Sequence, residues 1–217
     1  GGIALLENVR FYLGEEKNDS VFSKSLSKIA DLYINDAFSV SHRKHASIYG
    51  ITKFLPSYAG RAFQFEIEML NKILEKSAPP VSAIIGGSKV STKLNILSNL
   101  VEKMQTIAIG GGMANTFLAA KNISIGSSFY EESMIDDAKV ILQKADKVGC
   151  SILLPIDAVI ADKVEMGVES TVVDIDKIPK NKMILDIGFK TIDLFSGAIV
   201  ESKTLLWNGP LGVFEIS

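Results

Sequence analysis

The stretch Ile84-Ile85-Gly86-Gly87-Ser88-Lys89-Val90-Ser91-Thr92-Lys93-Leu94 decides how this chain is read. The apolar, β-branched run Val81–Ile85 predicts a buried strand. Gly86 and Gly87 end that strand and let a ligand approach the backbone. The residues behind them read as the first turns of a helix, where i, i+4 spacing would put Lys89 and Lys93 on one face. A helix start offers free N–H groups and the positive end of the dipole. Two ammonium groups added there repel each other unless they share an anion, and a polyphosphate suits that role. Surface lysines on a solvated helix are the plainer reading. The stretch lacks G-x-x-x-x-G-K-[ST] and G-x-G-x-x-G, so neither a P-loop NTPase nor a dinucleotide fold gains direct support.

Outward from this stretch, strand and helix patterns alternate. Strands are predicted at Thr106–Ile109, Ser151–Leu154, Val172–Val173, Met183–Leu185 and Thr204–Trp207. Helices are predicted at Ser91–Lys103, Met113–Ala120, Glu131–Val148 (closed by Gly149) and Thr191–Glu201. This alternation implies a parallel sheet with helices on both faces and ligands beyond the C-terminal strand ends. Upstream, Ile3–Leu6 and Tyr33–Asp36 read as strands. Ser20–Leu32 reads as a helix capped by Ser20, with Phe22, Leu26, Ile29 and Ala30 on its apolar face. A long helix over Gly60–Ser77, stopped by Ala78-Pro79-Pro80, reads as a domain connector.

The 217 residues suit one large or two small domains, and a 47% hydrophobic composition supplies a substantial core. A net charge of −2 argues against a nucleic-acid-binding surface. The single cysteine, Cys150, excludes an internal disulfide and disfavours a cysteine zinc site, which fits a reducing, cytoplasmic setting. No apolar run is long enough for a membrane span, and Gly1-Gly2-Ile3-Ala4-Leu5-Leu6 lacks the basic leader of a signal peptide.

Four glycine-bearing loops follow predicted strands: Gly86-Gly87, Gly110-Gly111-Gly112, Gly188 and Asn208-Gly209-Pro210. Four at one sheet edge point to a ligand cleft. The Gly110–Gly112 run offers either a flat floor for a planar ring or a tight strand–helix turn. In the loop His42-Arg43-Lys44-His45, a guanidinium anion site is favoured over a two-histidine metal site with no evident third ligand. Arg10 is either part of that anion site or plain surface charge. Asp36 can cap or orient the loop. Glu215 is either a ribose ligand or an exposed carboxylate, and Trp207 is expected in the core rather than as a stacking platform.

Taken in order, Leu6-Glu7-Asn8-Val9-Arg10-Phe11, Asn35-Asp36-Ala37-Phe38, His42-Arg43-Lys44-His45-Ala46-Ser47, the Gly86–Lys93 stretch, Gly110-Gly111-Gly112-Met113-Ala114-Asn115-Thr116-Phe117, Leu185-Asp186-Ile187-Gly188 and Trp207-Asn208-Gly209-Pro210-Leu211-Gly212-Val213-Phe214-Glu215 resemble the phosphoglycerate kinase family over essentially the whole chain. The resemblance implies an α/β fold of two Rossmann-like parallel-sheet domains joined by a hinge helix. It divides the chain into a partial N-terminal phosphoglycerate-binding domain at 1–59, a hinge helix at 60–78 and a nucleotide-binding domain at 79–217 that is truncated at its C-terminal end.

The implied reaction is reversible phosphoryl transfer between 1,3-bisphosphoglycerate and ADP, giving 3-phosphoglycerate and ATP. Magnesium would enter as MgADP or MgATP, with the protein's metal-binding Asp in a Gly-Gly-Gly-Asp-Thr loop outside this chain. By the same resemblance, Lys89 and Lys93 are catalytic, and Arg10 and Arg43 hold phosphoglycerate. Gly87, Lys93, Gly110, Gly111, Gly188, Asn208, Pro210 and Glu215 bind nucleotide. A monomer is expected, with no nucleic-acid or membrane partner. The family's N-terminal Arg-x-Asp-x-Asn segment, its next phosphate-binding Arg and its His-x-x-Arg segment are missing here. The isolated chain is therefore expected to be inactive, with its first part poorly covered. Ser39, Phe189 and Tyr12 depart from the family's more frequent Gly, Pro and His; Phe189 is the one expected to reshape a pocket wall. A nucleotide-binding module without catalysis is the competing reading, and the retained Arg10 and Arg43 argue against it. An NAD-dependent dehydrogenase fails for want of a dinucleotide fingerprint.

Overall fold

The computed structural model describes residues 2–75 and 78–216, and the chain divides within it into two units, Gly1–Glu75 and Lys76–Ser217. The first unit runs α1 (Leu13–Glu16), α2 (Ser20–Ser27), β1 (Tyr33–Asn35), β2 (Ser57–Ala59) and α3 (Arg61–Glu75). β1 and β2 pair in parallel, Tyr33 opposite Ser57. The alternation pattern does not single out β2.

Three expectations change here. Ile3–Leu6 is not a strand; Ile3 and Leu5 lie fully exposed, without a paired strand among the described residues. Asp19 rather than Ser20 caps α2, accepting the Phe22 N–H at 2.7 Å. The helix also stops at Ser27 instead of Leu32, because its last turn tightens: Lys28 and Ile29 donate to carbonyls three residues back, each at 3.3 Å. The expected end of α3 at Lys76–Ser77 lies outside the described residues. Asp36 caps α3 rather than the histidine loop, its Oδ1 accepting the Phe63 N–H at 2.9 Å. Tyr12 stacks on Phe22 with ring centroids 5.3 Å apart.

The second unit holds β3 (Val81–Ile85), α4 (Leu94–Leu100), β4 (Thr106–Ile109), α5 (Gly111–Ala120), α6 (Ile135–Val148), β5 (Ser151–Leu153), β6 (Asp157–Ala161), β7 (Thr171–Asp174), β8 (Met183–Ile187), α7 (Phe189–Val200) and β9 (Thr204–Asn208). Four strands form a fully parallel sheet in the order β5-β4-β3-β9. All five residues of β3 are buried, which is why it reads as a near-continuous apolar run, broken only by Ser82, rather than an alternating one. α5 is buried almost all round, through Met113, Ala114, Phe117 and Leu118 as well as Asn115 and Thr116. α6 ends on Gly149 in the left-handed conformation, φ 76°.

The single parallel sheet expected for this half is incomplete as a description. β7, β6 and β8 form a separate antiparallel sheet. For β6 and β7 the reason is connection length: parallel neighbours need a crossover of about a dozen or more residues, usually helical, and the loop 162–170 between them contains no helix. β6 itself was not anticipated. Trp207 leaves the expected core position and is 58% exposed, its indole N–H donating to the Gly209 carbonyl at 3.1 Å.

Asp157 joins this second sheet to α7. Its carboxylate is 2% exposed and accepts the Lys190 N–H at 2.9 Å, the Thr191 N–H at 2.8 Å and the Thr191 hydroxyl at 2.6 Å. Burial pulls its pKa up, but these hydrogen bonds and the Lys190 charge outweigh burial and leave it below the ordinary value. A depressed carboxyl stabilises the fold above the ordinary value of 3.8, and that contribution disappears as pH falls through the lower folded value. Asp157→Ala removes the cap and strands buried donors. We expect a loss of about 2–4 kcal/mol at neutral pH, read from the urea midpoint, with the gap to wild type closing in acid.

Candidate functional site

The C-terminal ends of β3, β4 and β9 meet at their backbones. Gly86 N–H donates to Asn208 O at 2.8 Å, Gly110 N–H to Ile85 O at 3.1 Å, Gly111 N–H to Leu211 O at 2.7 Å and Met113 N–H to Gly87 O at 2.9 Å. A methyl group on Gly86 would lie 1.9 Å from Pro210 O, so no other residue allows this meeting of loops.

Beyond these loops opens a cavity of about 570 Å³, within the range of roughly 300–1,000 Å³ typical of small-molecule sites. Gly87, Ser88, Gly111 and Gly112 form one wall, β8 from Met183 to Ile187 a second, and Pro210–Glu215 a third. The walls are mostly apolar, with Phe129 and Leu211 among them, while Asp186 and Glu215 bring carboxylates to the lining. The cavity therefore offers an apolar slot with acceptors at its edge, suited to a flat ring carrying hydroxyl donors. Among the sequence candidates, Gly87, Gly111, Pro210 and Glu215 line it.

Gly110 and Gly188 fall outside the lining. Gly110 packs under Leu211, where an added methyl would lie 2.4 Å from a Leu211 methyl carbon. Gly188 is glycine because of Asp157: a methyl there would lie 2.3 Å from the buried carboxyl carbon. Phe189, expected to reshape a pocket wall, is 74% exposed at the start of α7 and is not among the lining residues.

The two lysines do not share a helix face. Residues 91–93 form a turn, Lys93 N–H donates to Val90 O at 2.8 Å, and α4 begins only at Leu94. Val90 is fully buried and anchors the loop. Lys93 instead folds back over the strand ends. Its ammonium donates to Gly86 O at 2.6 Å and to Asn208 Oδ1 at 2.5 Å, and lies 3.4 Å from Asn208 O. Partial burial lowers its pKa from the ordinary lysine value. Lys89 is exposed on the same loop.

In the first unit, Arg10 and Arg43 are both exposed, and neither guanidinium makes an ion pair among the described residues. The loop that carries Arg43 is held by a residue that sequence reasoning missed. Glu15 is 2% exposed and accepts the Ser47 N–H at 2.9 Å and the Ser47 hydroxyl at 2.6 Å, while His45 Nδ1 lies 3.7 Å away. Nothing in Leu13-Gly14-Glu15-Glu16 marks its third residue as buried. Burial raises the Tyr33 pKa, and the Glu15 charge adds to the effect.

No group of three or more His, Cys, Asp or Glu side chains arranged to hold a metal occurs among the described residues. Cys150 is buried, which pushes its thiol up to about 11 and leaves it unreactive at neutral pH. No described helix is long and apolar enough to cross a membrane.

Comparison with known proteins converges on one family. The family model described as phosphoglycerate kinase matches residues 1–217. Phosphoglycerate kinases from Chelativorans sp. (strain BNC1) and Bartonella quintana (strain Toulouse) are each 52% identical over all 217 residues, which cover 54% and 55% of their lengths. The solved phosphoglycerate kinase from Coxiella burnetii aligns with a TM-score of 0.79 at 38% identity, over 97% of this chain and 54% of that one. The enzyme from Pyrococcus horikoshii OT3 aligns with a TM-score of 0.78 at 28% identity, over 96% and 55%. The chain thus spans about half the length of the relatives it matches. Matched from end to end by the family model and at this level of identity to its curated members, the chain belongs to the phosphoglycerate kinase family.

Proposed function

We propose that this chain serves reversible phosphoryl transfer between 1,3-bisphosphoglycerate and ADP, with the second unit as the nucleotide site. The observation that carries this reading is the Lys93 ammonium, lodged between Gly86 and Asn208 and 3.5 Å from the Cβ position of Gly87, which lines the cavity with Gly111, Pro210 and Glu215. The apolar slot takes the base, Glu215 accepts ribose hydroxyls, and Lys93 with Lys89 meets the phosphates. Magnesium arrives as part of the substrate MgADP. Arg10 and Arg43 in the first unit bind the phosphoglycerate through bidentate guanidinium contacts. This division of labour suits the reaction, which asks for positioning and charge neutralisation rather than covalent catalysis. The family fold, the net charge of −2 and the single buried cysteine all accord with a monomeric cytoplasmic enzyme without nucleic-acid or membrane partners.

Calorimetric titration with MgADP tests the site. The folded chain is expected to bind one equivalent. A folded chain that takes up no nucleotide at millimolar MgADP would overturn the reading. Subsequent 3-phosphoglycerate is expected to give a separate heat that Arg43→Ala abolishes while MgADP binding persists.

A further inference from the structure

We propose that Glu131 is a positioning residue for the lysine loop of the nucleotide site, an inference that rests on the nucleotide reading above. Since residues 88–93 are not helical, their shape must come from tertiary contacts. Val90 supplies one by burial, and Lys93 another through Asn208. Glu131 supplies a third: its carboxylate accepts the Ser91 N–H at 2.9 Å and the Ser91 hydroxyl at 2.5 Å. Glu131 is itself held, its N–H donating to Thr116 Oγ1 at 3.1 Å, and Thr116 is fully buried in α5. Asn115, beside it on α5, fixes the same segment through Nδ2 to Phe129 O at 3.0 Å. One chain of contacts thus runs from α5, whose first residues Gly111 and Gly112 line the cavity, through Glu131 to the loop bearing both lysines.

The charge of Glu131 makes a direct role in binding phosphate untenable, because a carboxylate beside an anion site repels the ligand. Its benefit must be geometric. Burial raises its pKa, but bonds from Ser91 and Val90 together with the Lys89 charge outweigh burial and hold it below the ordinary value, so it is an acceptor at neutral pH.

The test compares MgADP with adenosine on the whole chain, by calorimetry. Adenosine carries no phosphate for Lys89 and Lys93 to meet, so damage to the fold weakens both ligands while a displacement of the lysines weakens MgADP alone. Glu131→Ala is expected to bind MgADP about tenfold more weakly and adenosine within about twofold of wild type. Glu131→Gln keeps an acceptor and a donor for Ser91 and removes the charge, so its MgADP affinity is expected to equal or exceed that of wild type. Unchanged MgADP affinity in Glu131→Ala, equal weakening of both ligands, or a Glu131→Gln as weak as the alanine variant would each overturn the inference while leaving the nucleotide reading intact. A wild-type chain that binds neither ligand would overturn both.

Discussion

Gly86→Ala is expected to destabilise the second unit by about 3 kcal/mol or more and to abolish MgADP binding, although the change adds one methyl group. The new Cβ would lie 1.9 Å from Pro210 O and 2.6 Å from the Pro210 carbonyl carbon. These are backbone atoms, so no side-chain rotation relieves the clash. The β3 and β9 loops must separate, which breaks the Gly86–Asn208 hydrogen bond and carries Gly87 and Pro210 away from the cavity they line. Gly197→Ala is the control. That glycine lies within α7 with open space around its Cβ position, and the same chemical change should stabilise by about 0.5–1 kcal/mol. Urea unfolding followed by far-UV circular dichroism reads both variants. A Gly86→Ala variant as stable as wild type would refute the backbone packing described for this site.

Lys93→Met should cost about 2–3 kcal/mol of MgADP affinity, roughly 30- to 150-fold, with little change in adenosine affinity. The methionine keeps the aliphatic stem and removes only the charge. In the free chain the ammonium is satisfied by Gly86 O and Asn208 Oδ1 and is partly desolvated, so its pKa is lowered. A lysine with a lowered value loses its proton at a lower pH than an exposed one. MgADP affinity of the wild type should therefore decline as pH rises through that lowered value, and Lys93→Met should lose this dependence. A methionine variant that binds MgADP as tightly as wild type would remove Lys93 from the phosphate site. Stability should fall by about 1–3 kcal/mol, since the exposed Asn208 recovers water as a partner while the carbonyl of buried Gly86 loses its donor.

Much of the second unit was legible because its signals are local. β3 and β4 appear at Val81–Ile85 and Thr106–Ile109 as read, since strands buried on both faces are apolar along most of their length. Gly149 ends α6 as expected, because a left-handed residue is a local backbone requirement. Loop glycines on three neighbouring parallel strands likewise announced a cleft, and the resemblance of ordered motifs to one family reached its identity. What went unread depends on partners distant in sequence. β2 is too short to show a pattern, and β6 declares itself only through its antiparallel neighbours.

The site divides along the same line. Sequence by itself determined that two lysines and a set of glycines stand behind apolar strands, because strand burial and glycine's missing side chain act at single positions. Tertiary structure alone decided what each of them contacts. Lys89 and Lys93 part company because buried Val90 and the Ser91–Glu131 contact, across 40 positions, override local helix preference. Gly188 serves a carboxylate that lies on another strand, and Glu15 became a buried acceptor for Ser47. Burial and hydrogen-bond satisfaction are properties of the folded neighbourhood, and no window of sequence contains that neighbourhood.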